Sequence, residues 1–539
     1  MFTPHSAQRE LGMKAVTRRR LGATAAVLAA ALTLSACSAA SPEVDPEVDA
    51  GTPVVGGVIN IAVSDEPTTL DATVTRSDIT ALYRNHMTEG LFALDAGFEP
   101  QPMLVDTYEI NDDATQFVFT LRDGVTFHDG TALDSSDVLA SLERFRENGT
   151  VGRSALSDVE MSAPDAQTVV LEFPEPQGNL LYALSDLQAP IYPSESLKDL
   201  EPGPVPNEKV IGTGPYKLER WTPGVEVILS RFDDYSPVDT ESSGLAGEKV
   251  AYADELRIVA VPNVASRISA VESGEFQIGM QLGGDDAQLV DSIPNLTAVR
   301  KRLGKLMLIP NTTVPPFDNP DIRQAVLIGL NIEAFGQVLG VQENWNIYPS
   351  ILPSDQPLAS DAGAENFNRG DVEEAKRLLA EAGYDGTPVT IITASSSATL
   401  SQAVIMQEQL EGMGIPTTVE PLELTVLQAR RGDPSSGWNM AGGQVAGQTD
   451  ILQSVYLPCD NRQSYICDER IDAALTAFSQ AIGPEARQAA YNRIQELTYE
   501  VVPVFLTTEF RTLVAVDDSL AGFRGDVEPV LWNSWVAAG

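Results

Sequence analysis

Residues 116–130 read QFVFTLRDGVTFHDG, a stretch in which strand and turn signals follow one another closely. Apolar residues occupy every second position of residues 116–122, which is typical of a strand with one buried face. Asp123-Gly124 is a turn signal, and it leads into a second short apolar stretch at residues 125–127. Asp129-Gly130 is another turn signal. The pattern therefore predicts a β-hairpin made of residues 116–127.

A helix is predicted directly after this stretch. Val138, Leu142 and Phe145 recur at helical spacing, and Ser135 and Ser136 precede them as candidate N-caps. Upstream, residues 58–63 are almost entirely apolar and are typical of a buried strand.

The C-terminal half of the chain has an alternating α/β pattern. Asp371 is a candidate helix cap, residues 389–392 and 415–419 are predicted strands, and a helix lies between these two strands. Such a βαβ unit requires a parallel sheet. Pro484 is predicted to open a further helix. Residues 501–506 are predicted to form a strand that tolerates an edge position, because they contain a proline.

The N-terminus has the features of an export signal. Arg18, Arg19 and Arg20 precede an apolar run of about 14 residues, and Leu34-Ser35-Ala36-Cys37 resembles a bacterial lipobox. Residues 1–36 are therefore predicted to be a lipoprotein signal peptide, with Cys37 as the lipidated residue. Residues 37–54 contain an acidic repeat and are predicted to be a disordered tether.

The composition excludes several classes of function. The chain has 539 residues with 35 Lys+Arg against 76 Asp+Glu, a formal charge of −41. Nucleic acid is excluded as a partner, because phosphate binding needs concentrated Lys and Arg. Three histidines and three cysteines leave little material for a metal site, so no metal and no cofactor are expected.

Cys459 and Cys467 remain once Cys37 is assigned to the lipid. Their compartment permits disulfides, and a disulfide between them would close a short ring. Zinc binding by the two thiols is the alternative, but no histidine is near them in the sequence. A structural disulfide is the favoured interpretation.

Sequence signatures of enzymes are absent, including the nucleophile elbow, the His-Glu-x-x-His pair and the phosphate loop. Gly212-x-Gly214 is followed by Pro215 and is interpreted as a turn. His86 and His128 are single histidines, for which a structural role is the more common one. The protein is therefore predicted to be a binding protein and not an enzyme.

Six ordered stretches resemble one family, the extracellular solute-binding proteins of family five, which serve ABC importers of oligopeptides, dipeptides and nickel. The stretches are residues 56–71, 89–91, 117–141, 212–216, 274–275 and 316–325. The resemblance implies an α/β, two-lobed, type II periplasmic-binding-protein-like fold with a hinge. It further implies lobe I at residues 55–95, 207–310 and 512–539, an extra subdomain of lobe I at 96–206, and lobe II at 311–511.

The resemblance also suggests where a ligand would bind. Peptide binders of this family carry a late Gly-Trp-x-x-Asp stretch, whose Asp receives the ligand ammonium. Gly447 takes the place of that Asp here, and Asp450 is the nearest remaining acid. The predicted ligand-binding residues are Glu66, Thr68, Asn85, Glu89, Trp438, Gln444, Gln448 and Asp450. A core position for Trp438 and a solvent-facing position for the glutamines are equally open.

The predicted function is capture of a small solute, with peptides as the expected class, and delivery to an ABC permease in the membrane. The protein is expected to be a monomer. Its lipid is expected to attach it to the outer face of the cell membrane, or to hold it in the periplasm. A non-peptide solute, such as an oligosaccharide or a metal chelate, is the first alternative. A secreted hydrolase with two carboxylates is the second.

Overall fold

The computed structural model describes residues 52–200, 203–395, 398–445, 450–454, 456–459, 467–525 and 528–537. The predicted signal peptide, Cys37 and most of the predicted tether lie outside the described residues. The strands are β1 Val58–Val63, β2 Phe92–Leu94, β3 Pro100–Pro102, β4 Val105–Ile110, β5 Gln116–Leu121, β6 Glu160–Asp165, β7 Thr168–Glu172, β8 Tyr216–Thr222, β9 Glu226–Arg231, β10 Glu255–Ala260, β11 Ile278–Leu282, β12 Leu296–Pro310, β13 Trp345–Asn346, β14 Val389–Ala394, β15 Thr417–Leu422, β16 Met440–Val445, β17 Phe505–Asp517, β18 Leu520–Ala521 and β19 Trp535–Val536.

The helices range from one to five turns. They are α1 Asp78–Met87, α2 Ser135–Asn148, α3 Thr150–Ala155, α4 Leu180–Leu184, α5 Ser194–Leu197, α6 Val264–Glu272, α7 Ala287–Asp291, α8 Pro320–Gly329, α9 Glu333–Gln337, α10 Val372–Glu381, α11 Ala398–Gly412, α12 Leu424–Arg431, α13 Glu469–Gln480 and α14 Pro484–Val501. Short 3-10 turns occur at Ala72–Val74, Asn207–Lys209, Gly284–Asp286, Gln342–Asn344 and Ile451–Gln453.

Two long strands join the two halves of the main sheet. The strand order is β15-β14-β16-β12-β17-β11-β1-β10-β9-β8, and β13 pairs with β17. The first part of β12 and the last part of β17 pair beside β11, whereas the last part of β12 pairs with β16. Strands β12 and β17 are therefore shared by both halves and are the natural place for a hinge. The lobe boundaries given above stay a prediction.

The family-like stretch at residues 116–130 belongs to a separate four-stranded sheet of order β4-β5-β7-β6. The predicted hairpin is wrong, because β5 pairs with β4 and β7, and residues 125–127 form only an isolated bridge from Thr126 to Ala132. The predicted alternation does hold. Phe117, Phe119 and Leu121 are buried and pack against α2 in one core.

Helix starts were predicted with mixed success. Asp371 caps α10 as predicted, and its carboxylate accepts a hydrogen bond from the Glu374 amide at 3.1 Å. The cap of α2 is Asp134 rather than Ser135 or Ser136. Its carboxylate accepts from the Ser136 amide at 2.7 Å, and the Asp137 side chain completes a capping box.

The predicted βαβ unit is present, since β14 and β15 are parallel and α11 connects them. Pro484 opens α14 as predicted. The strand predicted at residues 501–506 begins only at Phe505 and is central, between β12 and β11. Pro503 precedes the strand, so its missing N–H does not disturb the ladder. No helix in the described part of the chain is long and apolar enough to cross a membrane.

Candidate functional site

The carboxyl ends of the parallel strands face each other across the middle of β12 and β17. Leu282, at the end of β11, pairs with Leu513 of β17, which in turn pairs with Arg300 of β12. Val445, at the end of β16, pairs with Lys305 of β12. Five residues of β12, roughly 16 Å of strand, therefore separate the two edges.

Ligands of open α/β sheets bind just beyond the carboxyl ends of the strands. In the first half of the sheet, β1, β10 and β11 are parallel and end at one edge. In the second half, β14, β15 and β16 do the same. The space between these two edges, which we call the cleft, is the candidate binding site.

Three of the predicted ligand residues lie at these edges. Glu66 and Thr68 follow β1, where Thr68 is exposed and Glu66 is half-buried. The Glu66 carboxylate accepts a hydrogen bond from the Gly224 amide at 2.5 Å. Gln444 is exposed near the end of β16. Gln448 and Gly447 lie outside the described residues.

Glu89 is buried inside the protein, whereas its predicted role as a ligand contact requires access to the cleft. It is 2% exposed, and its carboxylate accepts hydrogen bonds from Tyr235 at 2.9 Å and Thr213 at 3.0 Å. The Lys249 ammonium lies 3.5 Å away. Burial lowers the pKa of Lys249, and the charge of Glu89 opposes that shift. Glu89 thus compensates a buried cation inside the protein, which argues against a ligand role.

Asn85 is also buried, on α1, where its side-chain oxygen accepts a hydrogen bond from Arg84 at 3.2 Å. Trp438 precedes β16 and therefore lies at the amino end of that strand, away from the cleft. It is 1% exposed, and its indole N–H donates to the Arg430 carbonyl at 3.0 Å. The alternative of a core position for Trp438 is the one that this geometry supports.

Asp450 is buried and has protein partners for its charge. Its carboxylate accepts a hydrogen bond from the Leu452 amide at 2.8 Å and lies 3.6 Å from the Arg487 guanidinium. Burial raises the pKa of Asp450, whereas Arg487 lowers it. This pairing argues against Asp450 as the receptor of a ligand ammonium.

Sequence reasoning missed Arg487, because nothing in its local sequence distinguishes it from Arg493, the other arginine of α14. The residue is buried, and its guanidinium lies over the Tyr182 ring, 4.1 Å from the ring centroid. It also donates to the Asn179 side-chain oxygen at 2.5 Å. These partners are about 300 residues away in sequence, so no local signal could have indicated them.

Cys459 and Cys467 form a disulfide, as the sequence predicted, with their Cα atoms 4.5 Å apart. The Cys459 amide donates to the Asp472 carboxylate at 3.0 Å, which ties the bridge to the first turn of α13. Among the described residues, no group of three or more potential metal ligands is present.

The family model for bacterial extracellular solute-binding proteins, family 5, middle region, matches residues 99–461. The chain belongs to this family. The match covers the four-stranded sheet, the long strand β12 and most of the second half of the main sheet. It therefore agrees with the resemblance that was read from the sequence.

Similar proteins are known by name in several bacteria. A probable peptide ABC transporter periplasmic-binding protein of Sinorhizobium fredii is 26% identical over 498 residues, which cover 88% of this chain and 91% of the relative. The glutathione-binding protein GsiB of Salmonella typhimurium is 24% identical over 491 residues, 86% of this chain and 91% of the relative.

Solved structures agree with the fold. The periplasmic binding protein AgaA of A. tumefaciens R10, in complex with agropinic acid, has a TM-score of 0.75 at 25% identity and covers 90% of this chain and 99% of AgaA. DppA of Helicobacter pylori, in complex with the peptide STSA, has a TM-score of 0.75 at 20% identity, with coverages of 90% and 99%. This solute-binding protein therefore has the two-lobed α/β fold of its family.

These findings settle the class of function. The chain is an extracytoplasmic solute-binding protein of an ABC importer, and it is not an enzyme. The hydrolase alternative is thereby set aside.

Proposed function

We propose that this protein captures peptides in the cleft, closes its two lobes on them and delivers them to a membrane permease. The observation that carries the proposal is the opposition of the two carboxyl edges across β12 and β17. A relative named as a probable peptide-binding protein and another named as glutathione-binding support peptides as the solute class. Lobe closure on a ligand is a recurrent mechanism for two-lobed binding proteins.

Within this proposal, Glu66 receives the ammonium group of the peptide. It follows β1 at the cleft edge, it is half-buried, and its carboxylate is engaged by the Gly224 amide, which orients it. A charge-assisted hydrogen bond from an ammonium group is worth about 1.5–3 kcal/mol. Asp450 is the weaker choice, because its charge is already compensated by Arg487.

The test is titration calorimetry with a mixed peptide library, free and N-acetylated. We expect Glu66→Gln to weaken binding of free peptides by roughly tenfold to a hundredfold, the factor that corresponds to this bond energy. N-acetylation should weaken binding to the wild type similarly and should have little further effect on Glu66→Gln. Glu373→Gln, on the exposed face of α10, is the matched control and should bind as the wild type does. Equal binding of free and acetylated peptides by the wild type would contradict the assignment.

A non-peptide solute is the second candidate. It is favoured by the structure of AgaA with agropinic acid and by the neutral, exposed Gln444 at the cleft edge. An oligosaccharide and metal-chelate panel in the same calorimeter addresses it. Binding of a member of that panel, without binding of any peptide, would replace the peptide proposal by this one.

We also propose that a lipid on Cys37 holds the monomeric protein at the outer face of the membrane. The apolar run before Leu34-Ser35-Ala36-Cys37 supports this, and the strong negative charge of the chain gives no basic patch that could replace the lipid. Cys37→Ala should therefore move the protein from the membrane fraction to the soluble fraction, or leave the precursor uncleaved. Ser38→Ala is the control and should remain membrane-bound. Wild-type processing and sedimentation of Cys37→Ala would disprove the anchor.

A further inference from the structure

A polar contact joins two distant parts of the chain beside the cleft. Arg487 of α14 donates to the Asn179 side chain at 2.5 Å, and its guanidinium lies 4.1 Å from the centroid of the Tyr182 ring. Gln453 donates to the Asp186 carboxylate at 2.9 Å. On one side of the contact are residues 178–186, and on the other are residues 450–487.

Gly178 brings the two backbones together at this contact. A Cβ built on Gly178 would lie 1.9 Å from the carbonyl oxygen of Ala481, far closer than any real contact. One residue later, the Asn179 amide donates to the Ser479 carbonyl at 3.2 Å. The contact therefore requires a residue without a side chain at position 178. Its own backbone does not require glycine, because its φ is outside the left-handed region.

The first side of the contact is tied to the first lobe. Asp186 pairs with Arg76 at 2.6 Å, and the Gln188 side chain donates to the Thr73 carbonyl at 3.0 Å. The Ile191 amide donates to the Glu89 carbonyl at 2.9 Å. Residues 186–191 are thus bonded to the segment from Thr73 to Glu89, which follows β1.

The other side of the contact is tied to the second lobe. Tyr491, one turn after Arg487 on α14, shares a hydrogen bond with Ser350 at 2.6 Å. Ile494 and Leu497 of the same helix are buried in the core that also contains Ile392 of β14. Since α14 packs on the second half of the main sheet, the contact bridges the two lobes.

The chemistry of this contact suits reversible closure. Arg487 lies 3.6 Å from Asp450, which is on its own side, so opening the cleft leaves the cation with a partner. Opening removes the bond from Arg487 to Asn179, the bond from Gln453 to Asp186 and the stacking of Arg487 on Tyr182. Water can replace the two hydrogen bonds better than it can replace the stacking. These contacts therefore stabilise the closed form moderately, whether or not a ligand is bound.

We propose that Arg487 and Gly178 form an interlobe latch that favours the closed form even without ligand, and thereby sets the affinity for the captured solute. The proposal rests on the proposed function only in that closure encloses the solute. A ligand that binds the closed form gains apparent affinity in proportion to the fraction of protein already closed.

The test measures lobe separation in ligand-free protein, so its result does not depend on the identity of the solute. Spin labels are placed at Glu109→Cys, on exposed β4, and at Glu373→Cys, on exposed α10. The distance distribution is then recorded by pulsed electron resonance. Two latch variants are compared with the parent, namely Gly178→Ala, which inserts a methyl group into the contact, and Arg487→Met, which removes the bond and the charge.

We expect the parent to populate a conformation with a short distance between the two labels. In both variants, the ratio of the short-distance population to the long-distance population should fall by roughly tenfold or more. A tenfold change corresponds to about 1.4 kcal/mol in the free energy of closure. Gly412→Ala is the control for Gly178→Ala, because a Cβ at position 412 meets no atom within 4 Å. Arg493→Met, exposed on the same helix, is the control for Arg487→Met. Both controls should match the parent.

An unchanged distance distribution in both latch variants would overturn the proposal, as would a parent that is entirely open without ligand. Circular dichroism checks that each variant is folded, and Asn179→Ala replaces any variant that is not. Failure of peptides to bind, together with the expected shift in distance, would disprove the proposed solute and leave the latch intact.

Discussion

Glu509→Gln is expected to lower the free energy of unfolding by about 3–5 kcal/mol, because it removes the counter-charge of a buried lysine. Lys305 and Glu509 are both 0% exposed, and the ammonium nitrogen lies 3.4 Å from the carboxylate. The ammonium also donates to the Tyr348 carbonyl at 2.5 Å. Burial lowers the pKa of Lys305, and Glu509 opposes this shift by stabilising the charged form.

Both oxygens of the Glu509 carboxylate accept hydrogen bonds in the native protein, so replacing this group should lower the free energy of unfolding considerably. It accepts hydrogen bonds from the Ser354 amide and hydroxyl, each at 2.7 Å, and from the Asn346 side chain at 2.8 Å. A glutamine at position 509 has one oxygen instead of two. Because each oxygen of Glu509 accepts from two donors, the substitution takes the acceptor either from the Ser354 amide and Lys305 or from the Ser354 hydroxyl and Asn346. The pair sits on β12 and β17, the strands shared by both lobes.

Urea unfolding of the mature chain measures this effect. The matched control is Glu373→Gln, which breaks an exposed pair with Lys376 and should change the free energy of unfolding by less than about 0.5 kcal/mol. A loss below about 1 kcal/mol in Glu509→Gln would show that the buried pair contributes little.

A second large effect is expected from His86 on acidification. The ring is 0% exposed, and burial lowers the pKa of His86 to about 4. Its Nδ1 lies 2.6 Å from the Leu82 carbonyl, and its Nε2 accepts from the Leu531 amide at 2.9 Å. The native protein therefore holds the neutral ring with the proton on Nδ1, because an imidazolium would point a second N–H at the Leu531 N–H.

The direction of the pH dependence follows from proton binding. Between pH 6.5 and 4, the unfolded chain binds a proton at His86 that the native protein does not, so stability falls as the pH falls. With a native pKa about 2.5 units below the unfolded one, the loss across this window is about 3 kcal/mol. At pH 7 and above, His86 is mostly neutral in both the native and the unfolded protein, so its titration no longer changes the free energy of unfolding.

The measurement compares the free energy of unfolding at pH 7 and pH 4.5 in the wild type and in His86→Gln. Titrating carboxylates affect both proteins alike, so the difference between the two slopes isolates His86. We expect His86→Gln to be less stable at pH 7, because it loses a fitted buried ring, and to lose less stability on acidification. Equal slopes would mean that His86 does not exclude its proton in the native state.

Several features of the fold were predictable from sequence because local patterns determine them. The cap at Asp371, the helix opened by Pro484 and the parallel β14–α11–β15 unit each depend on residues within about one element of each other. The β-hairpin prediction was wrong because the strand pairing there depends on residues that are far apart in sequence. The partners of β5 are β4 and β7, and β7 lies about 50 residues further along the chain, beyond α2, α3 and β6.

The candidate site was less accessible to sequence reasoning. Glu66 and Thr68 follow β1 and Gln444 lies near the end of β16, at the edges of the cleft, and their role as ligand contacts stays a prediction. Glu89 was predicted as a ligand contact because its segment borders the cleft in relatives, and Trp438 because it lies in the region that corresponds to the late Gly-Trp-x-x-Asp stretch. Their burial became visible only once their partners, such as Lys249 and the Arg430 carbonyl, were placed around them.

By itself, the sequence determined the family, the α/β class and the alternation of elements in the second half of the chain. These properties follow from short motifs, caps and hydrophobic periodicity. The tertiary structure alone decided which charges are compensated inside the protein. Asp450 with Arg487 and Lys305 with Glu509 pair across 37 and 204 residues, respectively. The physical reason is that burial and the distance between charges are set by packing, and neither is encoded in the residues next to a charge.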